Sequence, residues 1–314
     1  MTASKPRIGF VGVGLMGHGM AKNLVEKGWP LAVVAHRKRK PIDDLVARGA
    51  KEAASLAPLV EGADVLVLCV TSSAEVEAIV EGPGGILEKG RKGLIVMDCS
   101  TSHPDSTLRL GAKLAAAGIR LVDAPLARTP KEAAEGRLLC FVGAEPKLLE
   151  EVRPIAEAWS EKVIHAGPLG AGHRVKLINN FVGLGYAMIY AEAYAACRKA
   201  GVDGRVFDQV ISAGGLNCGN YQNFRRYMVE GDRTAHPFAL RNCAKDLRYY
   251  TQMLDAVGGV TPVGDLALQS YQSAVNSGRA EQYIPQLADL FAELNGLKPG
   301  PLTEVAPGTS ASRP

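Results

Sequence analysis

The sequence predicts an α/β protein in which a doubly wound parallel sheet is followed by an all-α second domain. The first observation is that residues 7–165 alternate short β-branched runs with helical patterns, as successive βαβ units do. The second is that strand signals stop after the Gly/Pro-rich segment 167–172, beyond which apolar residues take up helical spacing as far as Leu297. The third is length, because 314 residues exceed the usual size of one hydrophobic core.

The expected strands are short runs rich in Val, Ile and Leu. In chain order they cover 7–11, 31–35, 65–70, 94–98, 120–123 and 139–142, with a further short strand at 162–165. Helical spacing fills the segments between them, for example at Met20, Leu24 and Val25. This alternation predicts that helices cross over between parallel strands and cover both faces of the sheet.

We place the sheet domain at 1–167 and the helical domain at 168–299. Within the latter, the stretch 175–200 is long enough, at ~1.5 Å per residue, to span a small domain as a connecting helix. Residues 300–314 are rich in Pro, Gly, Ser and Thr, which predicts a flexible tail.

Composition excludes several classes of function. The formal charge is only +4 and the basic residues are scattered, so we expect no nucleic-acid partner. The six cysteines form no CxxC pair, so we expect no metal site and a reducing, cytoplasmic location. No run of 18 apolar residues occurs and the apolar stretch at the N-terminus is short, so we expect neither a membrane span nor an export signal.

A glycine motif follows the first expected strand. Gly12, Gly14 and Gly17 fit GxGxxG, with Leu15 and Met16 between the last two glycines. The first glycine permits a tight turn, the second lets a pyrophosphate approach the backbone, and the third lets helix and strand pack closely. The motif alone is weak evidence, but the strand before it and the helix after it strengthen it. We predict a Rossmann-like dinucleotide-binding domain that includes these five residues.

The end of the second strand indicates which dinucleotide binds. An acidic residue there would bind the ribose diol of NAD, but this chain has His36, Arg37 and Lys38, with no carboxylate before Asp43. Arg37 can grip a phosphate with two donors and stack on adenine. The alternative is a solvated basic turn. The pattern predicts that NADP(H) is preferred and that NAD(H) is possible.

With these residues placed, the chain resembles the β-hydroxyacid dehydrogenase family, which includes 3-hydroxyisobutyrate dehydrogenase and related semialdehyde reductases. The likeness covers nearly the whole chain and is carried by blocks at 9–17, 98–104, 123–126, 172–180 and 245–247. It implies hydride transfer between nicotinamide and the alcohol or aldehyde carbon of a small anionic acid. It also implies a cleft between two domains and a homodimer or homotetramer.

By that resemblance Lys176 is the catalytic residue. Its ammonium can donate a proton to the substrate oxygen as hydride arrives, and take it back in the reverse direction. The alternative is an ordinary surface lysine. Asn180, which we also predict to be catalytic, follows at i+4 on the same helical face. We assign Asn179, which borders that face, to the substrate, although an asparagine there can also bond a neighbouring helix.

Further site residues follow from strand ends and from the resemblance. Ser100 and Thr101 lie just beyond the carboxyl end of a strand, where ligands of open α/β sheets bind, and the family places them near nicotinamide and substrate. Capping of the next helix is the alternative role. Val70 and Thr71 end the preceding strand and are expected to contact the cofactor through backbone groups. The resemblance implies that Lys245 lies beside cofactor or substrate.

One loop departs from the family pattern. Most members follow Asp-Ala-Pro with Val-Ser-Gly-Gly, whereas this chain has Leu126, Ala127, Arg128 and Thr129. An arginine there offers a charged five-donor fork to the substrate anion. We assign Ala127, Arg128 and Thr129 to the substrate. The alternative for Arg128 is an outward salt bridge.

The loop leaves several substrates open. Sulfolactaldehyde reductases resemble it with Gly-Arg-Thr, paired with a Lys-x-x-Asn-Asn-x-x-Ser helix, but Gly183 replaces that serine here and those enzymes favour NAD. Carboxylic semialdehydes, hydroxy-dicarboxylates and phosphorylated acids are the other candidates. Imine reductases usually have Asp or Tyr in place of Lys176, and a non-catalytic dinucleotide-binding protein would need no lysine there.

Overall fold

The computed structural model describes residues 5–305 of the chain. These residues form two compact units, which divide after Leu177. Each unit is described by itself below. One long helix, α9 (Ala171–Lys199), starts in unit 1 and continues into unit 2.

Unit 1 contains a sheet of nine strands among the described residues. Their bounds are β1 Ile8–Val11, β2 Leu31–Val34, β3 Lys51–Ala53, β4 Val65–Leu68, β5 Ile95–Asp98, β6 Arg120–Asp123, β7 Leu126–Ala127, β8 Leu138–Gly143 and β9 Ser160–Gly167. The strand order is β3-β2-β1-β4-β5-β6-β8-β7, with β9 paired to β8. The first six strands in this order are parallel to one another, as is the β8–β9 pair.

The α/β class with a mainly parallel sheet is confirmed, with one correction to its regularity. β8 runs antiparallel to both β6 and β7, so the sheet is mixed rather than parallel throughout. The sequence pattern also gave no sign of β3 or β7. β3 has only three residues, two of them exposed, and β7 has two, so neither carries a readable apolar alternation.

Helices cover both faces of this sheet because side chains alternate along each strand. In β4, Val65 and Val67 pack into one apolar cluster, whereas Leu66 and Leu68 pack into another. The covering helices are α1 Gly17–Glu26, α2 Lys40–Ala47, α3 Leu56–Gly62, α4 Ser73–Glu81, α5 Ile86–Lys89, α6 Pro104–Ala116, α7 Pro130–Ala134 and α8 Pro146–Ala156. Burial on both faces explains why these strands read as continuous apolar runs.

Unit 2 is helical, as expected. After α9 it contains α10 Gly204–Ala213, α11 Gly219–Met228, α12 Leu240–Asp255, α13 Pro262–Ala274 and α14 Leu287–Leu294, with a π-helical segment Val275–Arg279 and a 3₁₀ turn Ile284–Gln286. Its core contains tyrosines whose hydroxyls have partners. Tyr194 and Tyr221 share a hydrogen bond of 3.0 Å, and Tyr227 donates to Asp289 at 2.8 Å. Buried tyrosines need such partners for their polar ends.

Residues at the predicted domain limits are packed. Although the sheet domain was predicted to end at 167, α9 contributes its first turns to unit 1. The predicted tail starts at Gly300, whose N–H donates to Asp289 at 2.9 Å, and Leu302 and Val305 are buried. The rest of that tail, 306–314, lies outside the described residues. Among the described helices, none has the length and apolar character needed to cross a membrane.

Candidate active site

The glycine turn has the spacing that dinucleotide binding requires. Gly12 has φ +98°, and a Cβ built there would lie 2.2 Å from the carbonyl oxygen of Cys69. A Cβ at Gly17 would lie 2.0 Å from the carbonyl oxygen of Gly12, so strand and helix touch at this point. Gly14 is different, because its Cβ would have no neighbour within 4 Å. The turn therefore leaves open space only at the glycine where a pyrophosphate is expected.

The remaining residues of the turn differ in exposure. Leu15 is 66% exposed, whereas Met16 packs partly against the core of unit 1. Met16 also lies at the start of α1, whose first N–H groups have no intrahelical partners. Such a helix start suits a phosphate group.

The basic turn after β2 contains one arginine that is ion-paired and three basic residues that are not, within the described chain. Arg39 donates to Asp43 at 2.6 Å and to Glu52 at 2.7 Å. By contrast, His36, Arg37 and Lys38 are exposed and form no hydrogen bond or ion pair within residues 5–305. The side chains that the sequence assigned to the 2′-phosphate are therefore available, and their neighbour Arg39 is not.

The backbone after β4 is already hydrogen-bonded. The N–H of Val70 donates to Ser100 Oγ at 3.0 Å, and the N–H of Thr71 donates to the Glu75 carboxylate at 2.6 Å. Glu75 also accepts from Ser72 and so forms the capping box of α4. The expected backbone contacts of Val70 and Thr71 with a cofactor would therefore use carbonyl oxygens rather than these N–H groups.

Ser100 is buried and its hydrogen bonds are internal. Its exposed fraction is 2%, and its N–H donates to Asp98 Oδ1 at 2.9 Å. Thr101 is half-buried in the same loop after β5. Neither residue caps α6, since His103 Nδ1 accepts from the N–H of Asp105 at 3.2 Å. Ser100 would therefore affect the substrate indirectly, by fixing the loop after β5.

Arg128 has an unusual backbone and a paired side chain. Its φ is +87°, a conformation that suits glycine, and it stands where most family members have glycine. Nη1 donates to the carbonyl oxygen of Arg137 and pairs with the Glu161 carboxylate. The outward ion pair considered as an alternative is therefore present. Within the described residues Nε and Nη2 form no hydrogen bond.

The two neighbours of Arg128 are held by the fold. Ala127 lies in β7 and pairs with Leu139 of β8. Thr129 starts α7 through a capping box with Glu132, which accepts from the N–H of Thr129 at 3.0 Å. The strand on one side and the helix on the other fix the backbone that presents Arg128.

Lys176 is half-buried in the second turn of α9, within unit 1. Burial and the Asp98 carboxylate raise the pKa of the Cys69 thiol to about 12, and the charge of Lys176 acts in the opposite direction. Cys69 follows β4 and touches the glycine turn at Gly12. The amine of Lys176 therefore acts on the edge of the sheet that carries the glycine turn.

A second polar group lies in unit 2. Asn180 Nδ2 donates to Asp246 Oδ2 at 2.6 Å, and Asp246 is 1% exposed. Lys245 Nζ lies 3.0 Å from Asp246 Oδ1 and 5.3 Å from the ring centre of Tyr249. Asn179 is exposed and donates to Asn180 Oδ1 at 3.4 Å. The structure thus brings together three of the residues expected from the resemblance, Asn179, Asn180 and Lys245.

Sequence reasoning missed a buried group at the start of α9. His173 is fully buried, with Nε2 3.7 Å from Asp98 Oδ2 and Nδ1 3.8 Å from Asp123 Oδ2. The sequence offered one signal, since both aspartates end expected strands. Their meeting depends on strand register, and the contact with His173 depends on the return of the chain after β9.

A glycine turn between a buried parallel strand and a helix is the arrangement with which Rossmann-like domains bind dinucleotides. Comparisons with known families agree. Residues 7–167 match the family model described as the NAD binding domain of 6-phosphogluconate dehydrogenase. Residues 170–291 match the one described as NAD-binding of NADP-dependent 3-hydroxyisobutyrate dehydrogenase.

Curated relatives and solved structures extend the likeness over most of the chain. NAD-dependent L-serine dehydrogenase of Pseudomonas aeruginosa is 33% identical over 297 residues, covering 92% of this chain and 99% of that protein. 3-Sulfolactaldehyde reductase of Escherichia coli is 30% identical over 276 residues, covering 88% and 92%. The crystal structure of 3-hydroxyisobutyrate dehydrogenase from Salmonella typhimurium superposes with a TM-score of 0.82 at 26% identity, covering 90% and 99%.

The chain belongs to the β-hydroxyacid dehydrogenase family, as its motif blocks indicated. It is an NAD(P)-dependent oxidoreductase of the type that acts on hydroxyl groups. Its relatives carry the names of enzymes of small hydroxy acids and their aldehydes.

Proposed function

We propose that this chain is an NADP(H)-preferring dehydrogenase or reductase for a small anionic hydroxy acid or semialdehyde, with Lys176 as its proton donor and acceptor. The observation that carries the proposal is the glycine turn, open at Gly14 and packed against Cys69 at Gly12, together with a half-buried Lys176 in the same unit whose charge acts on Cys69. An amine at that edge of the sheet is in the region where ligands of open α/β sheets react.

The residues present fit a dinucleotide. Gly14 leaves its backbone open and α1 begins three residues later, so a pyrophosphate has space and a helix N-terminus. Arg37 and Lys38 are exposed for a 2′-phosphate, which supports NADP(H) over NAD(H). When bound, the nicotinamide supplies or accepts the hydride.

The chain itself supplies proton transfer and orientation. The ammonium of Lys176 donates a proton to the substrate oxygen in the reductive direction and accepts it in the oxidative direction. Asn180 lies one helical turn after Lys176. It donates a hydrogen bond to Asp246, which fixes the orientation of the Asn180 amide. On this basis we assign Asn180 to catalysis beside Lys176, Asn179 to the substrate and Lys245 to the cofactor.

Arg128 is the proposed site for the substrate anion. Its Nη1 is paired with Glu161, while Nε and Nη2 remain as an open pair of donors within the described chain. A planar guanidinium binds carboxylate, sulfonate or phosphate oxygens with two such donors. Ala127 and Thr129 would border the same anion, since β7 and α7 fix their backbone on either side of Arg128.

A sulfonated aldehyde is the second candidate substrate. Arg128 favours it, because the loop resembles that of sulfolactaldehyde reductases and a 3-sulfolactaldehyde reductase is among the relatives. The basic turn at Arg37 distinguishes the two candidate substrates. It supports NADP(H) as the cofactor, whereas a sulfolactaldehyde reductase would be expected to favour NAD(H).

A substrate panel tests the proposal. Aldehydes that carry carboxylate, sulfonate, phosphate or no charge are reduced with NADPH and with NADH, using wild type, Arg128→Ala and a control, Arg137→Ala. Hydrogen bonds to charged groups contribute ~1.5–3 kcal/mol, so Arg128→Ala should lower kcat/KM for the preferred anion about 10- to 150-fold. The kcat/KM of Arg128→Ala for neutral aldehydes should match that of wild type. Arg137→Ala should match wild type on every substrate, because the exposed Arg137 guanidinium pairs with Glu135. Equal losses on charged and neutral aldehydes would contradict the anion site.

We also propose a homodimer or homotetramer. Along α9 of unit 2, Ile178, Val182, Tyr186 and Ile189 are 41–56% exposed and recur at helical spacing. A stripe of apolar side chains of this kind supports association between protein surfaces. Light scattering in solution gives the subunit count, and a monomer at all concentrations would contradict the proposal.

A further inference from the structure

Two buried carboxylates end neighbouring strands of unit 1. Asp98 at the end of β5 and Asp123 at the end of β6 are register partners, with exposed fractions of 2% and 0%. Like charges buried side by side are costly unless hydrogen bonds or a compensating group satisfy them. Asp98 accepts hydrogen bonds from its own loop, from the N–H of Ser100 and from Ser102 Oγ, each at 2.9 Å, whereas Asp123 is satisfied by the start of α9.

The carboxylate of Asp123 binds the start of α9. Oδ1 accepts from the N–H of Gly170 and Oδ2 from the N–H of His173, each at 2.7 Å. Two glycines leave the space, because a Cβ would lie 2.2 Å from Asp123 Oδ1 at Gly143 and 2.9 Å from Oδ2 at Gly172. Negative charge at a helix N-terminus is favourable. Asp123 therefore fixes α9 to the end of β6.

His173 completes the connection. Its ring is fully buried, with Nδ1 2.8 Å from Thr107 Oγ1 on α6. The Thr107 hydroxyl donates to the carbonyl oxygen of His103 at 3.3 Å, so it accepts from an Nδ1–H. Nε2 points to Asp98 at 3.7 Å and has no hydrogen-bond partner within residues 5–305. The ring thus contacts groups from β5, β6 and α6 at once.

We propose that His173 is a positioning residue that sets where the amine of Lys176 lies. This inference rests on the proposed role of Lys176. The two residues are three positions apart in α9, so they lie on the same side of the helix. The 2.8 Å contact with Thr107 holds the buried ring beside Asp98, whose Oδ1 accepts from the N–H of Ser100 and whose Oδ2 accepts from Ser102 Oγ. One imidazole therefore joins the helix that carries the amine to the strand ends.

This position is sensitive because proton transfer depends on distance. A displacement of ~1 Å far from the reacting atoms can cost about a hundredfold in rate. Loss of the imidazole would remove the Thr107 hydrogen bond and the group that faces Asp98. It would leave the glycine turn, and therefore dinucleotide binding, intact. The expected signature is a loss in kcat without a matching loss of cofactor affinity.

The experiment compares His173→Leu, His173→Gln and Thr107→Val with wild type, using the purified full-length protein. His165→Gln is the control, because it removes an exposed histidine of unit 1, on β9, whose Nε2 lies 2.8 Å from the carbonyl oxygen of Ala144. Lys176→Ala is measured alongside. Unfolding temperature, NADPH affinity by fluorescence, kcat and substrate KM are determined for each.

His173→Leu should lower kcat about 10- to 100-fold with NADPH affinity retained, as a displacement of the amine predicts. His173→Gln should recover part of that loss, since it returns a polar amide to the position that faces Asp98. Thr107→Val should show the same split between kcat and affinity with a smaller loss, which keeps the test valid if His173→Leu does not fold. Wild-type kcat in His173→Leu, or failure of glutamine to recover activity in a folded variant, would overturn the proposal. A fully active Lys176→Ala would instead contradict the proposed function.

Discussion

Arg37→Ala tests the cofactor preference with a magnitude that follows from the structure. Arg37 is exposed and has no partner among the described residues, so its removal breaks no bond of the folded chain. Its expected contribution is one charge-assisted contact with the 2′-phosphate, ~1.5–3 kcal/mol, or about 10- to 150-fold in kcat/KM for NADPH. The value for NADH should change little, because that cofactor lacks the phosphate.

Arg39→Ala is the matched control. Its guanidinium is held by Asp43 and Glu52, so its charge is already paired within the chain. The assay is the ratio of kcat/KM for NADPH to that for NADH in wild type and both variants. A wild-type preference for NADH, or equal losses with both cofactors in Arg37→Ala, would refute the assignment of this turn.

Two further predictions concern the glycine turn and the acid stability of unit 1. Gly17→Ala should lower both the unfolding temperature and NADPH affinity, because its Cβ would lie 2.0 Å from Gly12. Gly14→Ala should keep the unfolding temperature and lose affinity, and the same melting and binding assays separate them. Arg7 holds the pKa of Asp64 at about 2, below its usual 3.8, so this pair stabilises the fold at neutral pH and the effect is lost as pH falls through that range. Asp64→Asn should therefore cost about 1 kcal/mol in urea unfolding at pH 7, with the difference from wild type shrinking towards pH 2.

Local sequence signals predicted the features that depend on neighbours in the chain. The glycine motif predicted a tight turn at Gly12 and close packing of helix and strand at Gly17, and both are present, with φ +98° at Gly12. The longer strands of the sheet could be predicted from the sequence, because helices cover both faces and the strands are therefore continuous apolar runs. Those with too few apolar residues to show a period, β3 and β7, were not.

Contacts between distant parts of the chain could not be predicted from these local signals. Glu161 is 33 residues from Arg128, and nothing in the loop indicated that the two would pair. Asp98 and Asp123 become neighbours only through the register of β5 and β6, and His173 reaches them only after β9. The motif blocks contained all three of these residues, but the pattern gave no physical reason to connect them.

The most direct test of Lys176 as the proton donor is a comparison of Lys176→Ala with Lys199→Ala. Lys199 lies at the far end of the same helix, and its amine donates to the carbonyl oxygen of Asn295. Loss of a general acid predicts that Lys176→Ala lowers kcat ~10²- to 10⁴-fold while NADPH binds within about threefold of wild type. Lys199→Ala should turn over like wild type. Undiminished turnover in a folded Lys176→Ala protein would contradict the assignment of this amine to the chemistry.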